Sequence, residues 1–245
     1  MIEITKLEKA FGKNQVLKGV DLHVKESGIC AILGPNGSGK TTIIKSILGM
    51  VIPDGGNIEV GGEKIKGNWL YRNQIGYLPQ IARFPENLTV AEVIKMVKDI
   101  RNEPADEQPL IERFGMKPFL NSRLSNLSGG TRQKVNLVLC FMFNAKYIIL
   151  DEPTAGLDPI ALISLKELIN EERINGKVIL LTTHIMDLVE ELADEIIFLL
   201  EGKIFFRGTL EDMQEMTGEV KLERSIAKIL MKNSEEHKEM ESLPN

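Results

Sequence analysis

The apolar run from Ile29 to Leu33 leads straight into Gly34, Pro35, Asn36, Gly37, Ser38, Gly39, Lys40 and Thr41, and an apolar-periodic segment then continues to Met50. A buried strand, a glycine-rich loop and a helix in that order leave few folds open, chiefly parallel α/β sheets with an anion site at the strand's carboxyl end. The glycines let successive backbone N–H groups turn inward around phosphate oxygens, and the helix start adds positive potential. Lys40 would reach the β and γ phosphates of a nucleotide, and the Thr41 hydroxyl would ligate magnesium. An ordinary glycine-rich turn requires neither the lysine nor the hydroxyl, and here both coincide with the strand and the loop.

A second apolar strand, Tyr147 to Leu150, ends in Asp151 and Glu152. A parallel strand delivers such an end to the edge where ligands bind, and successive side chains point opposite ways. Asp151 is therefore assigned to the metal and Glu152 to the base that activates an attacking water. Acids that merely solvate a strand end are the plainer reading, and the phosphate loop on a neighbouring strand weighs against it.

Around these two strands the pattern predicts an α/β fold with a mixed core sheet. Met1 to Val24 alternates and is broken at Gly12, Lys13 and Asn14 and again at Lys18 and Gly19, which predicts short antiparallel strands. Pro53 to Gly56 opens a hairpin-like stretch through Ile65, and Ile75 starts another strand. From Thr89 the period is helical, with Val90, Val93, Ile94 and Val97 on one face, so a helical insert is placed at about residues 89–144. A helix near 160–173 and a strand at 178–182 return to the α/β alternation. The principal domain is taken as 1–218, and residues 219–245 as a charged helical tail with no chemistry assigned.

Leu127, Ser128, Gly129, Gly130 and Thr131 precede a long apolar-periodic helix, with Ser128 as its cap. Amides at a helix start and a serine hydroxyl can grip a phosphate, so the chain carries a second anion-gripping end. The simplest use of both ends is across a two-fold dimer.

The net charge of -5 offers no footprint for nucleic acid, and none is expected as a partner. No apolar run approaches the ~20 residues that cross a bilayer, and the first residues lack the features of a secretion signal, so the chain is expected in the cytosol. Cys30 and Cys140 sit among apolar neighbours without a CxxC spacing and are expected to be buried thiols.

The phosphate loop, Gln80, Leu127 to Thr131, Asp151 and Glu152, Ala155 to Asp158, and Thr183 with His184 follow the order found in ATP-binding cassettes, and over roughly Ile2 to Gly208 the chain resembles that family. The resemblance implies a P-loop NTPase of ABC type with an N-terminal antiparallel β subdomain. It implies two cassettes sandwiching two Mg-ATP, each held by the loop of one copy, Gly34 through Thr42, and by Ser128, Gly129 and Gly130 of the other. Phe11 matches the aromatic that stacks on adenine, and Gln80 matches the glutamine that senses magnesium and attacking water. His184 matches the switch at the γ phosphate, and Asp158 the loop that communicates across the dimer. Taken singly, Phe11 reads as core, Gln80 as a turn residue and His184 as a capping histidine.

Two positions depart from the family pattern: Thr131 stands where glutamine is usual, and Phe11 replaces the commoner tyrosine. Neither removes a phosphate donor or a stacking face. Three readings follow: a transporter motor beneath a separate transmembrane permease, peripheral on the inner face of the membrane; a non-transport cassette acting on DNA or ribosomes; and a regulatory module that binds ATP without turnover. One phosphate loop and no long insert favour the first over the second, and intact Glu152 and His184 disfavour the third. Gln80 to Glu92 corresponds to the family's permease-contacting region, with Phe84 and Leu88 as expected anchors. The runs Leu127 to Asn136 and Pro79 to Thr89 look like cassettes serving maturation of the copper enzyme nitrous-oxide reductase, which pair with a permease and a periplasmic protein.

Overall fold

A computed structural model describes residues 1–241, with side chains described through residue 233; the last four residues of the expected tail lie outside it. The alternation at the amino end forms one long hairpin, β1 (Ile2–Phe11) and β2 (Asn14–Val24), turning at Gly12. The expected second break at Lys18 and Gly19 is instead a bulge inside β2, where the register passes from Val20 opposite Leu7 to Lys18 opposite Glu8. Gly19 at φ 77 supplies the left-handed residue that such a bulge needs.

β3 (Gly28–Leu33), α1 (Lys40–Ile47) and the hairpin β4 (Gly55–Val60) with β5 (Glu63–Lys64) follow, then β6 (Ile75–Leu78). An antiparallel sheet has the order β2-β1-β4-β5. The insert supplies α2 (Val90–Arg101), α3 (Gln108–Arg113) and α4 (Gly129–Phe141). Thr89 caps α2 in a reciprocal bond with Glu92, as its position before the apolar period predicts.

β7 (Tyr147–Asp151), α5 (Pro159–Ile174), β8 (Val178–Thr182), α6 (Met186–Leu192), β9 (Glu195–Leu200) and β10 (Lys203–Gly208) complete a second sheet of order β10-β9-β3-β8-β7-β6. All of its neighbours are parallel except β10 on β9, so the core sheet is mixed. Its two faces are sealed differently. Ile148 and Leu150 of β7 pack with α4, α5 and the insert, whereas Tyr147 and Ile149 pack with α1 and the antiparallel sheet. The parallel pairing of β3 and β7 with β8 places the carboxyl ends of all three at one edge.

α7 (Leu210–Thr217) and α8 (Leu222–Glu241) close the chain. The first turns of α8 join the core: Leu222, Ile226 and Ile229, spaced along one helical face, are buried with Phe198, Phe206 and Met213. Beside them Ser225 Oγ and Thr217 Oγ1 share a buried hydrogen bond of 2.9 Å.

Candidate functional site

β3 ends at Leu33, and Gly34 to Gly39 carry the chain to α1. Gly34 has φ 150, and a Cβ there would stand 2.1 Å from the Leu199 carbonyl oxygen, so only glycine lets the loop leave the sheet this close to β9. Lys40 is buried and folds back over the loop, its Nζ donating to the carbonyls of Gly34 (2.7 Å) and Pro35 (3.1 Å). Burial lowers its pKa, while Glu152 and Asp151 pull the other way. Ser38 Oγ is buried without a hydrogen-bond partner, an orphaned donor inside the loop that phosphate oxygens would satisfy. Thr41 and Thr42 are half-buried in the first turn of α1.

Asp151 ends β7 and is buried; Thr182, opposite it on β8, donates from Oγ1 to Asp151 Oδ1 at 2.6 Å. Glu152 lies one residue past the strand with φ 53, a left-handed conformation that costs roughly 1–3 kcal/mol in a non-glycine residue. Its N–H donates to the Thr182 carbonyl at 3.0 Å, which holds the turn. Strand alternation therefore stops at Asp151, and the two acids meet different partners, Asp151 the Thr182 hydroxyl and Glu152 the His184 ring. Glu152 Oε1 lies 2.9 Å from His184 Nδ1. Burial raises the Glu152 pKa; His184 opposes this, Asp151 adds to it, and Lys40 opposes it.

Gln80 is exposed two residues beyond β6, whose Leu78 pairs with Leu150 on β7, so it leaves the sheet edge beside Asp151. Tyr77 registers the same neighbourhood, its pKa pushed up to about 12 by burial and then by Asp151. Phe11 is 51% exposed at the tip of the first hairpin, with Lys9 Nζ 5.3 Å from its ring centre. It is thus not a core residue. The partner strand of that hairpin reaches the phosphate loop, since Val16 and Leu17 abut Gly39.

Ser128 caps α4 and is exposed with Gly129, at an end whose hydrogen bonds stay within the helix: Ser128 Oγ accepts from the Thr131 amide at 3.2 Å. Gly130 is pressed against the segment after Glu152, because a Cβ on it would stand 2.3 Å from the Gly156 carbonyl oxygen. Two side chains missed by the motif reading tie the same elements together. Gln133 Nε2 donates to the Pro153 carbonyl at 2.9 Å, and Lys134 Nζ lies 2.6 Å from Asp158 Oδ2. Asp158 Oδ1 also accepts from the Ala161 amide and so caps α5. Its pKa is lowered by the bond to Lys134 and then by the Ala161 amide. Thr182 gave no motif signal, and Gln133 and Lys134, within two turns of Ser128 on a helix already singled out, carried no assigned role.

Of the expected anchors, Phe84 and Leu88 are half-buried against the insert core, whereas Ile81 is 71% exposed. Ile81 and Phe84 line a groove of about 410 Å³ with Arg83, Leu124, Arg132 and Asn136. The hydroxyl of Thr41 and the carboxylate of Asp151 are hard oxygen donors suited to magnesium, which takes few protein ligands and completes its shell with phosphate and water. Among the described residues no group of three or more His, Cys, Asp or Glu is placed to cage a metal, and no helix is long and apolar enough to cross a membrane. Cys30 and Cys140 are buried, and burial pushes both thiols upward.

A family model described as ABC transporter matches residues 17–155. The ABC-type transporter ATP-binding protein EcsA of Bacillus subtilis is 33% identical over 227 residues, 89% of this chain and 91% of its own length. The lipopolysaccharide export system ATP-binding protein LptB of Haemophilus influenzae is 36% identical over 218 residues, 84% of this chain and 90% of its own. A solved ATP binding subunit of an ABC transporter superposes with a TM-score of 0.88 at 31% identity, covering 94% of this chain and 99% of that one. The cassette MJ0796, in a dimeric post-hydrolysis state bound to ADP and Pi, shares the fold with a TM-score of 0.76 at 24% identity over 86% of this chain and 99% of its own.

Proposed function

This chain belongs to the ABC transporter family as an ATP-binding subunit, and from that membership we propose that two copies close around two Mg-ATP, hydrolyse them and drive a separate transmembrane permease. The observation that carries this reading is Glu152: a buried carboxylate, turned out of its strand and set 2.9 Å from His184, at the sheet edge that holds the phosphate loop. Magnesium bound with the nucleotide would draw charge from the β and γ phosphate oxygens. Thr41 and Asp151 would hold the ion, with Gln80 sensing it and the attacking water. Glu152 accepts the proton of that water, and its raised pKa suits a base better than an ordinary exposed carboxylate. His184 orients the Glu152 carboxylate and reaches the γ phosphate. Phe11 stacks on the adenine.

Ser128, Gly129 and Gly130 grip the nucleotide held by the other copy. Asp158 carries the state of one site to the next, through Lys134 and the contact of Gly156 with Gly130. The groove between Ile81 and Arg132 receives the permease on the inner face of the membrane. For cargo, the runs Pro79 to Thr89 and Leu127 to Asn136 support service to nitrous-oxide reductase maturation, with a periplasmic protein as a further partner.

Phosphate release by the purified protein in Mg-ATP tests the reading. Turnover that rises sigmoidally with ATP is expected. ATP binding without turnover, even with the permease supplied in vesicles, would replace the motor with a regulatory module.

A further inference from the structure

The Thr131 hydroxyl stands 2.9 Å from that of Ser128, and the Thr131 amide donates to Ser128 Oγ at 3.2 Å. Two hydroxyls carry two protons, and whichever atom donates, one proton is used between them and one remains to be given outward. Ser128 Oγ already accepts the amide, keeps a second lone pair, and can take the Thr131 proton on it. Its own O–H is then free to point away from the helix. An oxygen that accepts two hydrogen bonds is polarised and becomes a better donor.

We propose that Thr131 is a positioning residue: its hydroxyl donates to Ser128 Oγ and so presents the Ser128 proton, beside the amides of Gly129 and Gly130, to the γ phosphate held by the other copy. This rests on the two-copy reading above and deepens it. By the family resemblance, Thr131 stands where glutamine is usual. The amide bond to Ser128 survives every substitution at this position except proline; the second bond requires a side-chain donor.

The test compares Thr131→Val with Thr131→Ser in steady-state hydrolysis, and in ATP-dependent dimerisation on a Glu152→Gln background. Thr131→Val should raise the half-saturating ATP in both by about threefold to tenfold, the loss of one oriented hydrogen bond. KM should change more than kcat, and Thr131→Ser should restore wild-type values. Monomeric nucleotide binding, read with a fluorescent ATP analogue below the dimerisation concentration, should not change. Should Thr131→Val fail to fold, Thr131→Ala carries the same expectation. Unchanged half-saturation in Thr131→Val, or a Thr131→Ser variant as weak as valine, would overturn the role of Thr131 alone. If the Thr131-intact protein neither turns over nor dimerises as Glu152→Gln, the two-copy reading falls and takes this inference with it.

Discussion

His184 Nδ1 lies 2.9 Å from Glu152 Oε1, the imidazole two-thirds exposed and the carboxylate buried behind it. The histidine thus stands between solvent and an acid at the sheet edge whose backbone is turned out of its strand.

That arrangement sets a pH dependence. Burial raises the Glu152 pKa, so the base form is lost at a higher pH than for an ordinary exposed carboxylate, and kcat/KM should fall as pH drops. His184 opposes the rise, so its removal leaves Glu152 protonated to a higher pH. A pH profile of His184→Gln should show its acid limb displaced upward relative to wild type. A limb that stays in place would separate the two residues.

Thr182 is fully buried and donates a hydrogen bond to Asp151, itself 3% exposed. Thr182→Val keeps the shape and withdraws the donor, leaving a buried carboxylate short of a partner at a cost of about 1–3 kcal/mol. Urea unfolding should show a lower midpoint with an unchanged slope.

Gly130 has no room for a side chain against the Gly156 carbonyl. Because that contact is backbone against backbone, Gly130→Ala must move either the start of α4 or the segment after Glu152. We expect loss of ATP-dependent dimerisation with nucleotide binding by the monomer retained, checked by light scattering beside equilibrium binding.

These residues also mark what a one-dimensional reading could and could not see. The phosphate loop and the strand ending in Asp151 and Glu152 were legible because an apolar run stopping at polar groups has few other meanings in a parallel sheet. Ser128 was legible as a cap for the same local reason, and the structure caps α4 there. Thr182 was not, since a threonine ending an apolar strand looks like any β-branched residue. Gln133 and Lys134 hide inside a helix whose period says only which face is inward. The left-handed turn at Glu152 is imposed by its bond to the Thr182 carbonyl, a contact between residues far apart in the chain. Lys18 and Gly19 misled for the converse reason: a glycine signals a positive φ, and whether that makes a turn or a bulge depends on the strand alongside.

Lys40 Nζ bonds two carbonyls of its own loop and stands where phosphate oxygens would replace them. Lys40→Ala removes a charged donor, and ATP affinity measured by titration calorimetry should fall by about tenfold to a hundredfold. Unchanged affinity would remove the loop from nucleotide binding.

The most direct measurement pairs phosphate release with light scattering for wild type and Glu152→Gln in Mg-ATP. Turnover in wild type, a fall of about a hundredfold or more in the variant and an ATP-stabilised dimer of the variant are the predicted results. Near-normal turnover by Glu152→Gln, or a variant that stays monomeric at saturating ATP, would contradict the assignment of Glu152 as the base of a two-copy ATPase.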